Sequence, residues 1–144
     1  MIDISNKNIV LRIATASGKI FLKPETIDRI KEKDLEKGDV ITIARIAGTN
    51  AVKKVPDLIP LCHPIPINGI DFKFLIKEKY VKVTCTVKSY AKTGVEMEAL
   101  TGTNIALLNM WDIVKMYEKD KEGQYPTAEI SQIKVEKKIK KPKA

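Results

Sequence analysis

Residues 92–118 read KTGVEMEALTGTNIALLNMWDIVKMYE. Leu100, Leu107, Trp111 and Val114 recur at helical spacing, and Met110 and Tyr117 widen the apolar stripe, so the stretch is expected to form one long helix. Thr93 and Glu96 stand in T-x-x-E spacing, which predicts a capping box at its start. Four charged residues break the stripe. Glu96 and Glu98 crowd the first turn. Asp112 and Lys115, three apart and therefore neighbours on the helix surface, sit near the last turns. Glu98 and Asp112 are two heptads apart, within about 40° of each other around an ideal helix and roughly 21 Å apart along it. One small-molecule pocket does not easily span that distance. Either the charges are a solvated face with one ion pair, or the two ends serve different halves of a site. A symmetric dimer would bring the start of one helix near the end of its partner's.

Working back towards the N-terminus, residues 66–90 read as a hairpin. Ile70, Phe72, Phe74 and Ile76 alternate with Asp71, Lys73 and Leu75, Lys77-Glu78-Lys79 makes the turn, and Val81, Val83, Cys85 and Val87 occupy the buried phase of the return strand. Before it lies VPDLIPLCHPIPING, with Pro56, Pro60, Pro64 and Pro66 around the only histidine, His63. A residue before proline is driven out of helical geometry, so this segment is expected to be a stiff apolar loop. His63 there is either a satisfied structural histidine or a group that moves protons or binds phosphate. Cys62 and His63 are adjacent, and in an extended chain they point to opposite sides.

In DVITIARIAGTNAVKKV, residues 39–55, propensity and pattern conflict. The run Val40, Ile41, Thr42, Ile43 is β-branched, yet Val40, Ala44, Ala47 and Ala51 make a small-residue stripe behind a good N-cap, Asp39. The stripe decides for a helix. Residues 9–23 are expected to be strand with a bend at Ser17-Gly18, and Lys23-Pro24-Glu25-Thr26 opens a short helix closing near Lys37-Gly38. Arg12, inside that strand, is either an edge or solvent-facing residue or part of a site. Beyond the long helix, residues 119–129 are a polar connection, and ISQIKVEKKI is a last strand running into a basic tail.

The order strand, helices, hairpin, long helix, strand is that of an α+β ferredoxin-like sandwich, an antiparallel sheet with helices on one face. The chain of 144 residues suits a single domain, expected over 1–138, with residues 139–144 as a basic tail. It has no apolar run long enough for a membrane span, MIDISNKNIV is not expected to act as a signal peptide because it lacks a basic start followed by an apolar block, and its two cysteines form neither a disulfide framework nor a zinc signature; a reducing cytoplasm is the expected home. Of the net charge of +8, the last eleven residues supply +5, so the body is only mildly basic. A basic nucleic-acid module of the same topology is the rival reading, but the hairpin offers only Phe72, Phe74 and Tyr80 as stacking platforms. No P-loop or dinucleotide fingerprint is present.

Taken alone, these residues point to an acid–base enzyme acting on an anionic small molecule. Lys37, Lys53, Lys54 and Lys92 are candidate phosphate receivers. The segments DLIPLCHPIPI and KTGVEMEALTGTNIALLNMWDIVK, with MIDIS, KPETI and KGDVITIARIAGTNAVKK in the same order, closely resemble the molybdenum cofactor biosynthesis protein C family. The resemblance covers about residues 1–138 and implies a cyclic pyranopterin monophosphate synthase. Such enzymes rearrange 3′,8-cyclo-7,8-dihydroguanosine 5′-triphosphate to cyclic pyranopterin monophosphate and release diphosphate. By resemblance Asp112 is the catalytic acid or base and Lys115 its partner. Leu61, Cys62, His63, Met97 and Glu98 contact the substrate, and Glu96, Arg12 and Lys37 match further pocket positions. Lys138 matches a late lysine, with Lys137 one step away. The family implies a homohexamer, a trimer of dimers with pockets at dimer contacts; no metal site is visible in the sequence, and no cofactor is expected. The tail departs from the family: EKKIKKPKA stands where a glycine-rich stretch is usual.

Overall fold

The structure, a computed structural model, describes residues 1–142. Its elements are β1 (Val10–Phe21), α1 (Pro24–Glu32), α2 (Val40–Val52), the single turn α3 (Val55–Leu58), β2 (Gly69–Ile76), β3 (Tyr80–Ala91), α4 (Glu96–Glu118) and β4 (Glu129–Lys141). The strands form one antiparallel sheet in the order β2-β3-β1-β4. This is the α+β ferredoxin-like arrangement expected from the order of elements.

Side-chain alternation sets the two sheet faces. Ala14, Ala16 and Ile20 of β1 and Val81, Val83, Cys85 and Val87 of β3 are buried beneath Ala99, Ala106, Leu107 and Met110 of α4. The other phase of β3 carries Lys82, Thr84, Thr86 and Lys88. Strand β1 shows no bend at Ser17-Gly18. It pairs with β3 without interruption from Val10 opposite Ala91 to Phe21 opposite Tyr80. The irregularity falls on the β4 side, where the register shifts between Thr15 and Ala16 and between Ser17 and Lys19, and Gln132 takes a φ of 58°. Gly18 leaves room for the side chains of Ile133 and Leu107, which a methyl there would strike. Strand β4 continues to Lys141, three residues beyond the boundary expected at 138, because Ile139 and Lys141 pair with Ile13 and Leu11.

In α2 the cap outweighs the β-branched run. The Asp39 carboxylate accepts from the amides of Ile41 (3.1 Å) and Thr42 (3.3 Å), and these bonds, the Thr42 amide foremost, hold its carboxyl below the usual range. The buried face is Val40, Ala44, Gly48, Ala51 and Val52. Helices α2 and α4 cross closely at Gly48 and Gly102, with the Phe72 ring wedged between them. Helix α4 starts at Glu96 rather than Lys92, and no side chain caps it. Thr93 lies in the preceding loop, and the Glu96 carboxylate is engaged by Lys138 instead of reaching back in a capping box.

The other end of α4 carries an interaction with no local sequence signal. Glu118, the last helical residue, is 1% exposed. Its carboxylate accepts from the Lys23 amide (3.1 Å) and the Thr26 hydroxyl. It thereby caps α1, whose own N-cap residue Lys23 makes no side-chain cap.

Candidate functional site

The first turn of α4, the proline loop and the N-terminal coil converge at one end of the helix layer. They enclose a cavity of about 640 Å³ whose walls include Leu61, Cys62, His63, Glu96, Met97 and Glu98. Met1, Ile2, Ile4 and Lys7 complete it from the N-terminal side. His63 Nε2 lies 2.6 Å from the Ile2 carbonyl oxygen. A carbonyl only accepts, so Nε2 donates this hydrogen bond and Nδ1 is the ring nitrogen it leaves uncommitted. Lys92 ties the same coil through its ammonium to the Ser5 carbonyl at 3.0 Å. The residues before His63 form a turn rather than an extended chain, so Cys62 and His63 line the same cavity and are not on opposite sides.

The acids at this end are driven apart. Glu98 is 4% exposed, and burial raises its pKa; its own backbone amide works against that, and the charge of Glu96 adds to it. For Glu96, burial opposes ionisation, but the Lys138 ammonium, its own amide and the Arg12 charge outweigh it and hold the carboxyl below its ordinary value. Cys62 is pushed up by burial and by Glu98, so it stays a thiol rather than a nucleophilic thiolate.

Arg12 is neither at an edge nor in solvent. It is 7% exposed, in a strand flanked on both sides, with Nη2 donating to the Lys92 carbonyl at 3.3 Å and Nε without a hydrogen-bond partner. The strand register separates the two late lysines. Lys138 is opposite Ala14 on the helix side and pairs with Glu96, whereas Lys137 is opposite Thr15 on the outer face.

The remaining candidates lie elsewhere. Lys115 Nζ is 2.9 Å and Lys37 Nζ 3.4 Å from Asp112 Oδ1, and Lys37 also donates to the Asp112 carbonyl at 2.9 Å. The Lys115 ammonium, then Lys37, hold Asp112 below the usual carboxylate range, and Asp112 in turn raises Lys115. Trp111 and Tyr125 meet in a tilted contact, ring centroids 5.2 Å apart and planes at 60°, beside this trio. None of the three lines the 640 Å³ cavity. The structure thus gathers Arg12, Leu61, Cys62, His63, Glu96, Met97, Glu98 and Lys138 at one end of α4, and Lys37, Asp112 and Lys115 at the other. Between and around them the helix layer exposes Ile46, Leu58, Met97, Leu108 and Met116. Sequence reasoning missed Lys7 and the other residues of the N-terminal coil as parts of the site; a short coil carries no periodicity from which to read them. Among the described residues no group of three or more His, Cys, Asp or Glu could hold a metal ion, and no helix is long and apolar enough to cross a membrane.

A model of the MoaC family matches residues 1–141 of the chain. A protein of Sulfurisphaera tokodaii named probable cyclic pyranopterin monophosphate synthase is 57% identical over 140 residues, which is 97% of this chain and 93% of that protein. A Pyrococcus horikoshii protein of the same name is 56% identical over 97% of this chain and 88% of its own length. One from Archaeoglobus fulgidus is 54% identical, again over 97% of this chain and 90% of its own length.

Proposed function

The chain belongs to the MoaC family, and on that footing we propose that it is a cyclic pyranopterin monophosphate synthase of molybdenum cofactor biosynthesis. It converts 3′,8-cyclo-7,8-dihydroguanosine 5′-triphosphate to cyclic pyranopterin monophosphate and diphosphate by acid–base chemistry. The observation that carries the mechanism is the division of charged groups between the two ends of α4. At neutral pH Asp112 is a carboxylate and Lys115 an ammonium, a base and an acid already in contact and able to exchange roles as protons leave and return to the purine-derived ring. Lys37 and Arg12 neutralise phosphate oxygens and the charge that grows on departing diphosphate. Glu98, held towards its neutral form, and His63, oriented by its Nε2–H bond to the Ile2 carbonyl, bind ring and ribose groups in the cavity.

A complete site needs two copies. Glu98 and Asp112 are equally spaced about Ile105, so an antiparallel two-fold crossing of α4 near that residue sets one chain's Glu98 against its partner's Asp112. The exposed Leu108, Met97 and Met116 supply the apolar contact such a crossing buries. Three such dimers make the hexamer we assign to the active protein, which works in the cytoplasm. Light scattering tests the assembly, and a monomer that turns over substrate rejects it. The test of function is incubation with the cyclic dihydroguanosine triphosphate, reading released diphosphate and the pterin product. Asp112→Asn abolishes turnover while leaving thermal unfolding unchanged. Absence of diphosphate release from the wild-type protein overturns the proposal.

A further inference from the structure

The proline loop that carries His63 has few bonds of its own. Pro64 and Pro66 have no N–H to give, and among the described residues 63–67 make no backbone–backbone hydrogen bond. Yet the loop cannot bend freely. His63 and Ile65 each precede a proline and are confined to extended or polyproline geometry, while the two rings fix φ at Pro64 and Pro66. Residues 63–66 therefore act as a stiff strut of roughly 9 Å, at about 3 Å per residue. Where its far end is fastened decides where the imidazole stands.

That fastening is on β3. The ladder between β2 and β3 begins at Gly69 opposite Lys88, and one more backbone bond extends it, from the Asn68 amide to the Lys88 carbonyl at 2.8 Å. It goes no further in this way, because Pro66 has no donor. Two side chains take over. The Asn68 side-chain carbonyl accepts from the Tyr90 amide at 3.0 Å, and the Ser89 hydroxyl donates to the Pro66 carbonyl. Ser89 is fully buried on the helix side of β3, opposite Arg12 in the register with β1. The other buried residues of β3 are Val81, Val83, Cys85, Val87 and Ala91, so Ser89 brings the one hydroxyl to an otherwise apolar phase, and that hydroxyl has a partner to hold. Just beyond, the Lys92 carbonyl accepts from Arg12 at 3.3 Å and the Lys92 ammonium donates to the Ser5 carbonyl at 3.0 Å. Residues 88–92 thus form a frame to which the proline loop, Arg12 and the N-terminal coil are all tied.

We propose that Ser89 and Asn68 are positioning residues for His63. They touch no substrate and act by fixing the end of the strut on which the imidazole stands. That His63 binds substrate rests on the proposed reaction; that these two side chains set its place does not.

His63 is the only histidine, so its ring carbon–proton NMR signals are identified without further assignment. Ser89→Ala and Asn68→Ala each shift or split those signals. Asn68→Asp, which keeps an acceptor for the Tyr90 amide, leaves them as in the wild type. Ser17→Ala is the control: Ser17 is also buried in the sheet but donates to Glu136 on the outer face, so its loss leaves the His63 signals in place. In the turnover assay, Ser89→Ala raises KM for the cyclic substrate by about tenfold and changes kcat by less than about twofold, the pattern of lost binding. Added to His63→Ala, it changes KM by less than about twofold, because the group it positions is already gone. Asn68 is exposed, so its two variants decide the matter even if Ser89→Ala fails to fold. Unmoved His63 signals in both alanine variants, an equal shift in Ser17→Ala, or a further loss of about tenfold in the double variant overturns the proposal. A chain whose His63 signals move as expected but which releases no diphosphate refutes the proposed reaction and leaves the positioning standing.

Discussion

Two inactive variants mixed together reveal whether the ends of α4 serve one site. His63 belongs to the cavity at the Glu98 end, and Asp112 lies fourteen residues further along the same helix, roughly 21 Å away. If each site takes His63 from one chain and Asp112 from its partner, a heterodimer of His63→Ala and Asp112→Asn chains holds one site with both lesions and one site with neither. Random pairing of equal amounts makes half the dimers mixed, so about one quarter of all sites are intact. If both residues came from the same chain, every site would carry one lesion and activity would stay at the level of the separate variants. The assay is diphosphate release after the two variants are refolded together, with each variant refolded alone as the baseline. Heterodimers isolated through two different tags raise the expected fraction to about one half. A mixture no more active than its components refutes the shared site, whatever the fold of the single chain.

The remaining expectations concern stability. Gly48→Ala gains about 1 kcal/mol of helix propensity, but its methyl would stand 2.4 Å from the buried Phe72 ring and 3.0 Å from the Gly102 carbonyl; urea unfolding should show a net loss of about 1–2 kcal/mol, and a gain would contradict the close helix crossing. For Glu98 the folded pKa is raised, so the native state keeps a proton that the unfolded chain releases above about 4.5; stability is full below that value and erodes as pH climbs through the folded pKa. Glu98→Gln should therefore melt higher than wild type at neutral pH and equal to it in acid, and a lower melting point at neutral pH would reverse the sign. Glu118→Gln leaves the Lys23 and Thr26 donors with a weaker neutral acceptor, and should lose about 1–3 kcal/mol, read as a melting point lower by several degrees.

Where one short pattern decided an element, it could be read. The alternation of Val81, Val83, Cys85 and Val87 gave β3, and a single aspartate with a small-residue stripe gave α2 against four β-branched residues. Interactions between distant segments were not readable. Thr93 and Glu96 satisfy the capping-box spacing, but spacing does not disclose that a lysine from β4 competes for the carboxylate. Arg12 looked like an interruption of an apolar strand because its burial depends on strands β3 and β4 lying on either side. Gly48 and Gly102 are each unremarkable in sequence, and their meaning appears only where two helices and Phe72 meet. For the candidate residues, membership of each cluster followed from where the elements pack, which no motif states.

The ion trio at the end of α4 is exposed, and solvent-facing pairs hold geometry weakly. Its spacing is inherited from inside. Glu118 fastens the beginning of α1, and the Tyr117 hydroxyl accepts from the Glu36 amide at 2.8 Å, so the chain is moored to α4 both before α1 and immediately ahead of Lys37. Lys37 is thus delivered to Asp112 by anchors that do no chemistry themselves. A change at either mooring would therefore displace Lys37 from Asp112 without touching either residue.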